Sequence, residues 1–328
     1  MEKRKIIIDT DPGIDDAFAI TAASKYSNFE ILGVTSVAGN KGLEVTTLNS
    51  LKLVKLNNID CMVYKGASDS LLKQELPKSD NAGAHGVDGL GGVQLDYDEE
   101  KLSNKHAVDF ILETVKKYPN EIEIFTLGPV TNIALAIQKD IETMKLVKSI
   151  WSMGGGVVSG NMNPVAEFNY WFDAKAVEIM YSIGEYVDIH MIGLNVTQPS
   201  YLSANDILFM KLEGGQLGEI LYNMQQSVLP VSGWEEERII GNIIHDLLTV
   251  IYAIDSSVCP NVLRTNLQVS TEDFTVGQTV VDQIRTRQYG PDNAFVAMSV
   301  DSRKYKELFM EIVFGKETGL LYKNHVIS

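Results

Sequence analysis

The segment KIIIDTDPGIDDA, from Lys5 to Ala17, constrains this chain more than any other. Ile6, Ile7 and Ile8 make an unbroken β-branched run, which suits a central strand of a parallel sheet covered on both faces. Pro12 and Gly13 then turn the chain, and Ile14, Ala17, Phe18, Ala19, Ala22 and Ala23 carry it into a helix. Asp9, Asp11, Asp15 and Asp16 therefore fall at the carboxyl end of a strand, where open α/β sheets place their ligand sites. Carboxylates held this close repel one another, and a hard cation relieves that repulsion. An oxygen-rich set without cysteine or clustered histidine points to Ca²⁺ or Mg²⁺ rather than Zn²⁺. The plainer alternative is helix capping by Asp15 and Asp16, which leaves Asp9 and Asp11 unexplained.

The rest of the chain extends that opening unit. FEILGVTSVAGN (29–40) is a second strand ending in small residues and Asn40, a helix follows from about Lys41 to Asn57, and Cys61 to Tyr64 is a short strand. Later strands are expected at EIEIFTL (121–127), Ser149 to Met153 and Tyr186 to Ile192, with helices between them. Thr131 or Asn132 is a candidate helix cap in GPVTNIALAI. This alternation predicts an open, mostly parallel, Rossmann-like sheet flanked by helices. Beyond Pro260 the pattern changes to additional strands and a closing helix, KYKELFMEIVF. With no repeat, linker or shift in composition, the 328 residues read as one domain, 1–328.

Charge narrows the function. A net charge of −15 argues against nucleic acid and anionic membranes as partners and suits a neutral small molecule, or one whose charges a bound cation offsets. Cys61 and Cys259 are far apart and outside any metal-ligand spacing, so both read as packing residues in a reducing compartment. MEKRKIII leads straight into the first strand without a signal-peptide pattern, and no apolar run is long enough for a bilayer; a cytoplasmic location is expected.

Three other stretches carry chemistry. AGAHGVDGLGG holds five glycines and His85 in eleven residues, a long loop in which His85 is either a solvated side chain or a ligand contact. GGGVVSGNMNPVAEFNYWFD gathers Asn161, Asn163, Glu167 and Asn169, whose amides and carboxylate match the donors and acceptors of sugar hydroxyls. A polar surface loop is the plainer reading of that stretch taken alone. His245 and Asp246 lie together in an apolar helix running to about Ile254, where buried ionisable groups need partners.

DTDPGIDDA, GPVTNIALA, MGG with GNMNPVAEFN, and the late HD pair together resemble the inosine-uridine-preferring nucleoside hydrolases, in the right order from about Lys5 to Asp282. The resemblance implies a Ca²⁺-dependent enzyme that splits the N-glycosidic bond of ribonucleosides. It assigns the metal to Asp11, Asp16, Asp246 and the carbonyl of Leu127, with Asp11 also the general base toward water on the metal. Asp15, Asn40, Met153, Asn161, Glu167 and Asn169 then fall at ribose-binding positions, and Asp9 backs the cluster as a second-shell acceptor. His245 matches the proton donor to a purine leaving group in some members, and His85 a base contact in pyrimidine-preferring ones. Trp234 and Arg238 lie in the segment facing the base, where Trp234 either stacks on it or packs a lid. Leu247 and Leu248 stand where many members have a proline. Members are usually homodimers or homotetramers.

Two other readings remain open. A strand followed by DxD also begins haloacid-dehalogenase-type phosphohydrolases, against which Pro12 and the sugar-binding block argue. A catalytically silent nucleoside-binding protein would keep the fold and the metal without turnover.

Overall fold

The computed structural model describes residues 3–73, 85–226 and 241–326. Its centre is a nine-stranded sheet. The strands, in chain order, are β1 (Arg4–Thr10), β2 (Phe29–Ser36), β3 (Met62–Lys65), β4 (Leu102–Ser103), β5 (Ile122–Thr126), β6 (Ser149–Met153) and β7 (Asp188–Ile192). β8 (Leu202–Ser203) pairs with β9 (Gly241–Asn242) outside that sheet, as β11 (Leu267–Val269) does with β12 (Thr279–Val281). β10 (Val262–Thr265) and β13 (Ala294–Ala297) complete the large sheet, whose order is β10-β13-β7-β6-β5-β1-β2-β3-β4. Every pairing in it is parallel except β10 with β13. The expected Rossmann-like sheet with additional C-terminal strands is therefore present.

Successive side chains of β1 point to opposite faces. Ile6 and Ile8 enter one core layer with Phe18, Phe125, Trp151, Leu248 and Phe309, and Ile7 enters the other with Ile111, Ile124, Ile133 and Ile150. Ile6, Ile7 and Ile8 are fully buried, which is why the isoleucine run needs no polar alternation. Each isoleucine buried this fully contributes about 1.5–3 kcal/mol.

The helices, in order, are α1 (Ile14–Lys25), α2 (Leu43–Leu56), α3 (Ala107–Lys117), α4 (Thr131–Lys139), α5 (Ile141–Met144), α6 (Phe168–Phe172) and α7 (Ala174–Tyr181). They continue as α8 (Leu194–Thr197), α9 (Ala204–Glu213), α10 (Gly215–Gln225), α11 (His245–Ile254), α12 (Ser302–Phe314) and α13 (Lys316–His325). None of the described helices is long and apolar enough to cross a membrane.

Three expectations need correction. His245 and Asp246 are the first two residues of α11 rather than interior ones, an arrangement in which the helix dipole favours the Asp246 carboxylate. Thr131 and Asn132 do not cap α4, whose N-cap is Val130; tertiary partners take their side chains instead. Thr131 Oγ1 donates to Asp173 Oδ2 over 2.7 Å. The expected closing helix, KYKELFMEIVF, is present within α12 but does not complete the chain, because α13 follows it after Gly315, whose φ of +96° lies in a region that glycine enters without steric cost.

From β1 the chain steps outward to β2 and β3, then crosses back to place β5 on the other side of β1. The order reverses between β1 and β5, so the crevice beyond their carboxyl ends is the topological switch point.

Candidate active site

The aspartates of the opening segment line that crevice. Asp9, at the end of β1, is fully buried; its Oδ1 accepts from Thr35 Oγ1 (2.5 Å) and Asn132 Nδ2 (2.8 Å). Burial pushes its carboxyl up to about 7, against those two bonds. Asp11 Oδ2 accepts from the Asn40 N–H at 2.6 Å, and the Asn40 side chain donates to the Asp11 carbonyl at 3.3 Å. Glycines crowd this carboxylate from both sides. A Cβ on Gly39 would lie 2.1 Å from Asp11 Oδ2, and one on Gly128 would lie 2.3 Å from Oδ1.

Asp15 and Asp16 open α1. Asp16 accepts from the Thr10 hydroxyl and, at 2.8 Å, from the Gly13 N–H. Capping is thus one task of Asp16, while Asp15 Oδ1 has no hydrogen-bond partner among the described residues. α11 brings Asp246 against them, and one oxygen from each of Asp15, Asp16 and Asp246 lies within 4.8 Å of the others. Burial raises the carboxyls of Asp15 and Asp16 to about 6, with Asp15 adding to the effect on Asp16. Asp11 and Asp246 are raised well above the usual range, by burial first and then by the neighbouring carboxylates.

A second wall comes from the ends of β5 and β6. The Leu127 carbonyl accepts from Asn169 Nδ2 at 2.9 Å, and the same amide reaches the Met153 carbonyl (3.2 Å) and Sδ (3.3 Å). Glu167 caps α6. Its Oε1 accepts from the Asn169 N–H (2.8 Å), and its Oε2 accepts from Tyr170 (3.1 Å) and Gly155 (3.0 Å). Burial pushes its carboxyl up to about 7 despite these donors. Asn161 is exposed on the same loop, its Oδ1 accepting from the Phe168 N–H at 2.9 Å.

The histidines sit at helix starts. His85 Nδ1 accepts from the Ile14 N–H at 3.1 Å, so the ring's proton is on Nε2 and the 3.6 Å approach to Asp15 Oδ1 is no ion pair. His245 Nδ1 pairs with Thr197 Oγ1 at 2.8 Å. Burial holds both rings down at about 4. Trp234 and Arg238 lie outside the described residues.

The fold thus gathers Asp9, Asp11, Asp15, Asp16, Asn40, His85, Leu127, Met153, Glu167, Asn169 and Asp246 around the crevice, with His245 adjoining Asp246. Asn132 and Thr197, which tie the cluster to its surroundings, were not singled out as site residues. The GPVTN motif pointed toward Asn132, whereas nothing local marks Thr197.

The donor set fits a hard cation. Asp11 Oδ1, Asp15 Oδ1 and Asp246 Oδ1 are buried without a hydrogen-bond partner among the described residues, and carbonyl and carboxylate oxygens are the ligands such ions prefer.

A mostly parallel sheet with an acidic, amide-lined crevice at its switch point defines an α/β enzyme suited to a neutral polyhydroxylated substrate. The chain belongs to the inosine-uridine preferring nucleoside hydrolase family, whose sequence model matches residues 6–307. It is 32% identical over 319 residues to a pyrimidine-specific ribonucleoside hydrolase, RihB, of Escherichia coli O1:K1 / APEC, covering 96% of this chain and 98% of that one. Among solved structures, a plant nucleoside hydrolase, PpNRh1, has a TM-score of 0.87 at 30% identity, covering 95% of this chain and 99% of its own. A purine-preferring ribonucleoside hydrolase from Gardnerella vaginalis also has a TM-score of 0.87 at 30% identity, covering 98% and 99%. The chain is a ribonucleoside hydrolase.

Proposed function

We propose that this single-domain enzyme, 1–328, hydrolyses ribonucleosides to ribose and free base with Ca²⁺ as its cofactor. Asp11, Asp16, Asp246 and the Leu127 carbonyl are the protein ligands, and Asp15 stands close enough to Asp16 and Asp246 to share the ion or the sugar diol beside it. The observation that carries this reading is the set of three buried, unpartnered carboxylate oxygens at the switch point. A bound Ca²⁺ would lower the pKa of water and fix vicinal hydroxyls.

The chain's own residues supply the rest. Asp11 Oδ1 takes the proton of the attacking water, while Oδ2 is held in place by the Asn40 N–H. Asn40, Met153, Asn161, Glu167 and Asn169 hold the ribose. Positive charge developing on the ribosyl ring faces carboxylates and amide oxygens that are already oriented, so little reorganisation is needed as the bond breaks. Thr197 pairs with His245 Nδ1; with the hydroxyl donating in that pair, Nε2 carries the ring's proton and donates to the departing base. His85, its Nδ1 used by Ile14, likewise offers Nε2–H to the base. Relatives of similar identity are named for purines and for pyrimidines, and both classes are proposed as substrates. A cytoplasmic location and a homodimeric or homotetrameric assembly are part of the same proposal.

The test is a reducing-sugar assay across inosine, adenosine, uridine and cytidine without phosphate, with and without chelator. Ribose release that needs Ca²⁺ is expected. Nucleoside binding by calorimetry with no ribose released would identify a silent binder instead.

A further inference from the structure

The triple-glycine turn after β6 is gripped from outside the crevice by the C-terminal hairpin. Thr279, the first residue of β12, is buried; its Oγ1 accepts from the Gly156 N–H at 3.1 Å and donates to the Gly156 carbonyl at 2.5 Å. That N–H belongs to the Gly155–Gly156 peptide, whose carbonyl accepts from the Leu194 N–H at 2.9 Å. One peptide plane is therefore held at both edges. The turn is also sandwiched, since a Cβ on Gly155 would lie 2.9 Å from Thr279 Cγ2 and 3.0 Å from the Tyr170 ring. Gly155 has φ of +71°, so both the conformation and the space require glycine.

The next peptide toward the crevice donates its N–H, that of Gly155, to Glu167 Oε2 at 3.0 Å. Two further ties hold the same loop to the hairpin. Ala166 bridges to Gln278, and Asn163 Nδ2 donates to the Val276 carbonyl at 3.2 Å.

We propose that Thr279 is a positioning residue for ribonucleoside hydrolysis, its hydroxyl setting Gly156 and, through Gly155, the carboxylate of Glu167 against the sugar. The proposal rests on the sugar-side reading of Glu167. Thr279 lies far from the aspartate motif in sequence and touches no proposed ligand of the cation. Its influence passes through one backbone segment with glycine's freedom, which stays in place because hydrogen bonds hold it.

The experiment is steady-state ribose release from uridine and inosine by Thr279→Val, Thr279→Ser, Glu167→Gln and the Thr279→Val/Glu167→Gln double variant. Valine keeps the shape and removes both hydrogen bonds; serine keeps the bonds. KM is expected to rise about tenfold in Thr279→Val and to stay within about twofold of the parent in Thr279→Ser. In the Glu167→Gln background, Thr279→Val should add less than about twofold, because the two act as one unit. Equal effects of valine and serine, or full additivity, would overturn the proposal. A raised KM in Glu167→Gln with an unchanged Thr279→Val removes the proposal alone, whereas an unchanged Glu167→Gln removes the reading of Glu167 together with it. Thr279→Ala removes the same hydroxyl without placing a methyl against Gly156, and takes the place of valine should that protein not fold.

Discussion

Asn132 Nδ2 donates to Asp9 Oδ1 over 2.8 Å, and this bond fastens the start of α4 to the end of the central strand. The same amide donates to the Ser36 carbonyl at 3.1 Å and accepts from the Ala67 N–H at 2.8 Å. One side chain thus joins the ends of β1 and β2 to the loop after β3, directly beneath the acidic crevice.

Asn132→Ala removes those bonds and leaves a buried carboxylate, a carbonyl and an N–H short of partners. A loss of about 2–4 kcal/mol in stability is expected, seen as a lower urea midpoint with an unchanged slope. A midpoint equal to the parent's would show that Asp9 needs no such support.

Asp11→Asn keeps the shape and removes the proposed base and one proposed ligand charge. Ribose release should fall by at least about 10³-fold. In metal-free buffer the variant should also melt higher than the parent, because one of several mutually repelling buried carboxylates is gone. Turnover within fivefold of the parent would reject Asp11 as the base.

Calcium should stabilise the parent, because an ion bound to the folded state alone contributes about 2.7 kcal/mol at one hundred times its Kd. Thermal scans in EDTA and in CaCl₂ measure this. Asp246→Asn should shrink the shift and weaken Ca²⁺ binding by calorimetry; an undiminished shift places the ion elsewhere.

Glu123 predicts an acid limb of stability remote from the crevice. Burial alone would raise its carboxyl, but Arg4 (Nε to Oε1, 2.9 Å), Lys148 (3.0 Å) and Trp151 Nε1 (2.9 Å) outweigh it and hold it at about 2. A folded pKa below the unfolded value of about 4.5 stabilises the protein above that pH, and the contribution disappears as pH falls toward about 2. Glu123→Gln should therefore lower stability at pH 7 by on the order of 2 kcal/mol and flatten urea midpoints between pH 5 and pH 3. Parallel pH profiles for the two proteins would contradict this.

Much of the fold was legible because its signals are local. The isoleucine run, the Pro12–Gly13 turn and the alternation of strand and helix depend on neighbours in the chain, and the strand predicted at Ser149 to Met153 has those bounds. The errors fell where distant partners override local preference. Thr131 and Asn132 look like caps by residue type, but Asp173 and Asp9 claim their side chains. His245 and Asp246 look like helix interior because the apolar pattern continues past them, while the backbone begins its helix there.

Local order along the chain is enough to place four aspartates at the end of a central strand and its following turn, and to place asparagines and Glu167 on one loop. It took tertiary packing to bring oxygens of Asp15, Asp16 and Asp246 within 4.8 Å of one another, to set Asp11 between Gly39 and Gly128, and to let Thr279 hold the turn behind Glu167. Spacing along the chain fixes which groups share a turn or a strand end, but which distant groups meet depends on how helices pack across the sheet and where its strand order reverses.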